Sequence, residues 1–177
     1  DIEECANVNV VNQSDQLPFN SSVFDAALLE YVVEHVENIN ALMDDVFRVL
    51  KPGGNILITL PFRQSYHPCP QDYRRFTHEG IELFLSDCGF QDIKVEVYGG
   101  PVSSWIDATK EFLATIFSFG MPALFGILSQ LLIIPFIPLR YLDIILRKIP
   151  TAKYTAFSCI VFAKKPGELV LDDRFIS

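Results

Sequence analysis

The sequence predicts α/β architecture on three observations. Residues 23–30 and 55–60 are apolar runs, the segment between them reads as an amphipathic helix, and Lys51-Pro52-Gly53-Gly54 joins that helix to the second run. Strand, helix and strand in that order form a βαβ unit, whose two strands run parallel and are expected to be buried on both faces.

The elements follow in chain order. Residues 8–11 are the first predicted strand and 24–29 the second. In the helix over 39–50, Ile39, Leu42, Met43, Val46, Phe47, Val49 and Leu50 recur at helical spacing, while Glu37, Asp44, Asp45 and Arg48 fall mostly on the other side. Lys51 lies in the last turn, Pro52 cannot continue it, and Gly53 and Gly54 are expected to supply a positive-φ turn into the strand at 55–60. A second helix is predicted over 78–88, capped by Thr77 and ended by Gly89. Strands at 93–98 and 156–163 complete the sheet.

Composition bounds the function. A chain of 177 residues with 50% hydrophobic content fits one domain with an ample core. Its 14 basic against 22 acidic residues give a net charge of −8, which argues against a phosphate-backbone partner, so no nucleic acid is expected. Cys5, Cys69, Cys88 and Cys159 are widely spaced without a CxxC pair, as suits reduced structural thiols in a cytoplasmic protein. His35, His67 and His78 make no HExxH or similar spacing, so no metal is expected.

One stretch departs from an ordinary soluble pattern. No charged residue occurs over 112–139, which is longer than the roughly 20 apolar residues that span a bilayer. Gly120, Pro122, Gly126, Pro135 and Pro138 interrupt it. Residues 104–118 before it are amphipathic, with Trp105 at the start and Asp107, Lys110, Glu111 and Ser118 on the polar face. Residues 139–149 place Arg140, Asp143 and Arg147 on one helical face and Leu142, Ile145, Leu146 and Ile149 opposite. Arg147, Lys148 and Lys153 add a basic fringe that suits anionic headgroups. Three roles stay open: a helical hairpin dipping into one leaflet, an apolar lid over a lipid-like substrate, or an oligomer interface.

Leu17-Pro18-Phe19, Val23-Phe24-Asp25, Glu34-His35-Val36 and Arg48-Val49-Leu50-Lys51-Pro52-Gly53-Gly54 stand in a telling order and spacing. Together they resemble the second half of a class I S-adenosylmethionine-dependent methyltransferase of the type 11 kind. Asp72-Tyr73-Arg74-Arg75-Phe76-Thr77, Gly80 and Gly89-Phe90 extend the resemblance toward residue 100. The family's first strand and its glycine-rich loop would precede Asp1, so the chain is expected to be an N-terminally truncated part of a longer protein. Its Rossmann-like sheet then lacks the first strands and exposes the family's fourth strand as an apolar edge. The resemblance divides the chain into residues 1–100, the C-terminal part of the Rossmann-like domain, 101–153, an apolar helical insertion, and 154–177, the last strand and tail. It also makes the strands flanking the insertion antiparallel neighbours. Both ends of the insertion then lie on one side of any membrane, which excludes a single span.

The resemblance implies S-adenosylmethionine as cofactor and assigns candidate residues. Asp1 matches the acidic residue that holds the ribose hydroxyls. Gln13, with Ser14 and Asp15 beside it, stands where the family usually has an acidic acceptor for the adenine amino group, and Gln13 can accept through its carbonyl. Glu30 and Tyr31 end the strand at 24–29, which matches the family's fourth, and border the methionine part of the cofactor. Glu34 and His35 follow, His35 being expected to hydrogen-bond at the helix start rather than to catalyse. In the resembling subfamily the 61–77 loop lies over the acceptor. There His67 is the candidate general base, and Tyr66, Tyr73 and Arg75 are candidate acceptor contacts, with Asp72 and Arg75 pinning the loop as the competing structural role. A sulfonium methyl is already activated, so a base is needed only where the acceptor has a proton to lose. The expected function is methyl transfer to a small or lipophilic acceptor, in the cytoplasm or at the inner face of a membrane, with this stretch alone inactive and oligomers open. The alternative is a non-catalytic module of the same fold that binds a membrane or a partner through its insertion.

Overall fold

The structure, a computed structural model, describes residues 16–68 and 71–167. The predicted strand at 8–11, the candidates Asp1, Gln13, Ser14 and Asp15, and the tail beyond residue 167 lie outside the described residues. The order of elements is β1 (Phe24–Glu30), α1 (Ile39–Val49), β2 (Leu50–Pro61), α2 (His78–Asp87), β3 (Gln91–Gly99), α3 (Pro101–Phe117) and α4 (Pro122–Leu131). A 3-10 stretch (Ile134–Leu142), the short α5 (Asp143–Leu146), a 3-10 turn (Pro150–Tyr154) and β4 (Ser158–Lys164) follow. The four strands form one sheet in the order β1-β2-β4-β3. β1 and β2 are parallel, and β4 runs antiparallel to both of its neighbours.

The core lies on one face of this sheet. Asn38 caps α1 by accepting from the Ala41 N–H. Ile39, Met43 and Val46 of α1 and Ile81 and Leu85 of α2 then pack with Ile56, Ile58 and Leu60 of β2 and with Val161 and Ala163 of β4. The alternation of a strand sends the intervening residues to the other face. There Leu28, Leu57 and Phe162 stand in register across β1, β2 and β4. Leu28 is 63% exposed and Phe162 42%, so the expectation of two buried faces fails at β1. Its apolar side chains form an exposed edge of the sheet. Because Leu85 is fully buried within the cluster, Leu85→Ala is expected to cost about 2–5 kcal/mol, read as a lower urea midpoint.

The turn after α1 differs from its sequence reading. β2 begins at Leu50 and runs through the glycines, and only Gly53 has positive φ, 77°. Gly54 is required for closeness instead, since a Cβ there would lie 2.9 Å from the Lys51 carbonyl oxygen and 3.2 Å from that of Asp25. A register shift between Phe24 and Ala26 absorbs the extra residues of the turn.

The insertion joins its helices through polar groups and leaves many large apolar side chains exposed. α3 starts at Pro101, three residues earlier than its polar periodicity suggested, because Pro is pre-organised for a first turn. Residues 139–149 are not one amphipathic helix. Pro135 and Pro138 leave a 3-10 stretch there, and Asp143 turns inward, its carboxylate accepting from the N–H groups of Val102 (2.9 Å) and Ser103 (2.8 Å) at the start of α3. α3 and α4 meet through polar groups: Lys110 Nζ reaches Asp107 Oδ1 at 3.0 Å and Glu111 Oε1 at 2.8 Å, and Ser129 Oγ of α4 donates to Glu111 Oε1 at 3.0 Å. Trp105, Phe112, Phe117, Ile127 and Leu131 of the same two helices are exposed. No single helix among the described residues is long and apolar enough to cross a membrane, whereas α4 with residues Ile134–Leu146 passes that test as a pair bent by 49°. Gly99 pairs with Ser158, so the insertion leaves and rejoins the sheet at one edge.

Candidate active site

The same edge carries the carboxyl ends of β1 and β2, where doubly wound sheets hold ligands. At the end of β1, Tyr31 adopts φ 51° and donates its N–H to the Thr59 carbonyl at 3.0 Å. This reverses the chain and sets Glu34 beneath the 61–77 loop. Two arginines hold the arrangement. Arg74 donates to the carbonyls of Val33 (3.1 Å), Val36 and Glu37 (2.7 Å), and the Tyr73 N–H donates to the Glu34 carbonyl at 2.8 Å. Arg75 makes a bidentate pair with Asp72, with its second nitrogen 2.7 Å from Oδ2, and also donates to the carbonyls of Gln64 and Ser65. The loop is tied to α3 by the Ser65 N–H, which donates to Asp107 Oδ2 at 2.7 Å.

These ties bring a carboxylate and two imidazoles together. The Glu34 side chain is 1% exposed, His35 16% and His67 30%. Glu34 Oε1 lies 3.9 Å from His35 Nε2 and 3.8 Å from His67 Nε2. Those separations are too long for hydrogen bonds. Both carboxylate oxygens of Glu34 and the Nε2 of His67 are buried without a hydrogen-bond partner among the described residues. His35 Nδ1 sits 2.5 Å from the Gln71 carbonyl and His67 Nδ1 2.8 Å from that of Ser65. A carbonyl only accepts, so each Nδ1 carries the hydrogen and each Nε2 presents its lone pair toward Glu34. Asp72 Oδ2 accepts from the His67 N–H at 3.0 Å, fixing the backbone behind that ring. Burial pushes the Glu34 carboxyl above its ordinary range, against the opposing pull of His35, His67 and Arg75. The Arg75 guanidinium holds Asp72 well below the usual carboxylate range.

The candidates named from sequence fall into distinct places. His67 joins Glu34 in the cluster, together with His35, which reaches the Gln71 carbonyl instead of the start of α1. Arg75 is engaged with Asp72 and the loop carbonyls. Tyr73 is exposed, with the Arg74 guanidinium 5.8 Å from its ring centre, and Tyr66 is 71% exposed. Glu30 is exposed at the end of β1, while Tyr31 is half-buried, and burial raises its pKa. Asp72 pins the loop through Arg75, the structural role the sequence reading held open for that pair. Glu34 and Asp107 are the site-building residues that sequence reasoning did not assign to the site. The Glu34-His35 pair was the available signal for the first, and for Asp107 only its place on the polar face of residues 104–118.

Comparison with known proteins finds methyltransferases both by sequence and by fold. The methyltransferase domain family (Methyltransf_11) matches residues 3–58. The ubiquinone/menaquinone biosynthesis C-methyltransferase UbiE of Bartonella bacilliformis is 41% identical over 121 residues, covering 51% of this chain and 46% of that protein. UbiE of Desulfotalea psychrophila is 33% identical over 76 residues, covering 41% of this chain and 30% of its own length. The chain thus spans less than half the length of these relatives. Among solved structures, a Haemonchus contortus phosphoethanolamine N-methyltransferase in complex with S-adenosylhomocysteine covers 89% of this chain, which spans 37% of it, at 20% identity and TM-score 0.52. The [4+2]-cyclase SpnF covers 90% of the chain, which spans 57% of it, at 16% identity and TM-score 0.55. Likeness at such identities shows the fold. Family match and relatives make the chain similar to class I S-adenosylmethionine-dependent methyltransferases over the matched residues, and the solved structures share its Rossmann-like fold.

Proposed function

We propose that the chain forms the acceptor side of a methyltransferase that uses S-adenosylmethionine and acts on a small lipophilic molecule at a membrane surface. The observation that carries the catalytic part is the Glu34–His35–His67 cluster at the carboxyl edge of β1 and β2, beneath a loop held by two arginines. Glu30 and Tyr31 border the methionine end of the cofactor, and Asp1, Gln13, Ser14 and Asp15 contribute its ribose and adenine contacts. The methyl passes from the sulfonium to an acceptor carbon or oxygen, and the acceptor's proton leaves at the His67 end of the cluster. Exposed Tyr66 and Tyr73 offer rings and hydroxyls to the acceptor, while Arg75 acts through Asp72. Relatives named for ubiquinone and menaquinone biosynthesis, and a Caenorhabditis elegans sterol 4-C-methyltransferase that is 35% identical over 49 residues, support a lipophilic acceptor. Fold alone does not, since a cyclase shares it.

The membrane part is supported by the packing of α3 and α4. Their polar groups meet one another, and although Ile106 and Ala114 are buried, Trp105, Phe112, Phe117, Ile127 and Leu131 face outward, which water disfavours. Arg140, Arg147, Lys148 and Lys153, which follow α4 in the chain, are exposed, which suits an anionic leaflet. Sedimentation of the full-length protein with anionic vesicles tests this. Arg147→Gln with Lys148→Gln is expected to weaken binding about thirtyfold, at about 1 kcal/mol per basic residue. Equal binding to neutral vesicles, unchanged in that variant, would remove the electrostatic contact. Calorimetric titration with S-adenosylmethionine tests the catalytic part, and an absence of binding by the full-length protein would sink it.

A further inference from the structure

We infer that Glu34, His35 and His67 form a binding site for a first-row divalent metal ion, with Glu34 Oε1, His35 Nε2 and His67 Nε2 as its ligands. All three donor atoms lie within 4.8 Å of one another, and they come from two segments, the turn after β1 and the loop after β2. Three features of the geometry point to a cation rather than to an ordinary polar cluster.

First, the Glu34 carboxylate is buried, charged when ionised, and without a hydrogen bond among the described residues. A buried carboxylate left so costs free energy that a cation recovers. Second, both imidazoles are already oriented as ligands. Each Nδ1–H is spent on a backbone carbonyl, of Gln71 or Ser65, which fixes the tautomer that leaves Nε2 free to coordinate. Third, the separations suit contraction onto an ion. Donors bound at about 2.0–2.2 Å in a tetrahedron stand about 3.4 Å apart. The 3.8 and 3.9 Å distances therefore need to close by roughly half an ångström.

Two imidazoles and one carboxylate suit zinc, iron(II) or cobalt(II) rather than calcium or magnesium, which prefer all-oxygen shells. Three protein ligands leave coordination positions for an exogenous oxygen. The class of ligand for that position is an acceptor bearing a hydroxyl or ketone oxygen, and this part rests on the proposed methyl transfer. The three-donor site itself does not. With the ion bound, the His67 lone pair is engaged, so a coordinated hydroxyl loses its proton to solvent rather than to the imidazole.

Cobalt(II) titration of the chelator-treated full-length protein tests the site, followed by visible ligand-field absorption and by metal analysis after dialysis. One equivalent is expected to bind, with affinity at least about a hundredfold weaker in His35→Ala and in Glu34→Gln. Thermal melting adds a second readout. Cobalt should raise the melting temperature of the wild type by mass action. Glu34→Gln, relieved of its buried charge, should melt higher than the wild type in chelator and gain nothing from cobalt. Binding absent from the wild type, or equal in all three proteins, overturns the assignment. S-adenosylmethionine binding without cobalt binding removes the ion and keeps the methyltransferase reading, whereas cobalt binding without S-adenosylmethionine binding does the reverse.

Discussion

His67→Gln is expected to lower kcat for methyl transfer by about 10²–10⁴-fold while leaving S-adenosylmethionine affinity within twofold to threefold. The ring stands where β2 delivers the loop over the carboxyl edge, and its Nε2 is a buried lone pair with no partner among the described residues. Either use of that atom, to take the acceptor's proton or to hold an ion that activates the acceptor, is lost with the imidazole. The cofactor candidates Glu30, the last residue of β1, and Tyr31, just after it, are held by backbone pairing with β2 and not by that ring. Glutamine keeps a donor for the Ser65 carbonyl, so the loop should stay in place and the melting temperature should change little. Single-turnover transfer of labelled methyl, with calorimetry for the cofactor, separates the two effects. A loss of cofactor binding equal to the loss of rate would show that His67 supports the fold of the edge instead of the reaction.

The sheet was legible because its signals are local. The periodicity of Ile39, Met43 and Val46, the cap at Thr77 and the apolar run at 55–60 each specify an element within a few residues. The antiparallel pairing of the strands that flank the insertion followed from the resemblance and not from any pattern in the residues. What remained hidden depends on contacts between distant segments. His35 and the Gln71 carbonyl are 36 positions apart, and Ser65 and Asp107 are 42 apart. Neither spacing follows a local rule, so nothing in the sequence joined His67 to the Glu34-His35 pair and the histidines seemed to lack metal spacing. The insertion was misread for a related reason. Its polar stripe, Asp107, Lys110 and Glu111, was visible, but a stripe says only which residues share a face. That the face turns inward depends on Ser129 of α4 and on the loop, and no periodicity encodes that choice.

Asp72→Ala is expected to destabilise the protein by about 3 kcal/mol at neutral pH, the low end for breaking a buried pair. The low end applies because the Asp72 side chain is 1% exposed but its partner Arg75 is 27% exposed, so water compensates part of the stranded charge. Loss of the Asp72 carboxylate also frees the His67 N–H and the guanidinium that spans the Gln64 and Ser65 carbonyls. The pH dependence follows from the direction of the shift. Arg75 holds the folded-state pKa of Asp72 below its unfolded value of about 3.9. The stabilisation is therefore fully present above that value and is lost as pH falls through the depressed folded one. Glu34 has the opposite sign: burial raises its folded pKa, so its contribution is present below the unfolded value of about 4.3 and is lost as pH rises through the folded one. Urea denaturation from about pH 2 to pH 8 should accordingly show a shallower acid limb in Asp72→Ala and a recovered neutral plateau in Glu34→Gln. An acid limb as steep in Asp72→Ala as in the wild type would mean that other carboxylates, such as Asp45 beside Arg48, govern acid stability. The bidentate pair would then position the loop without anchoring the fold.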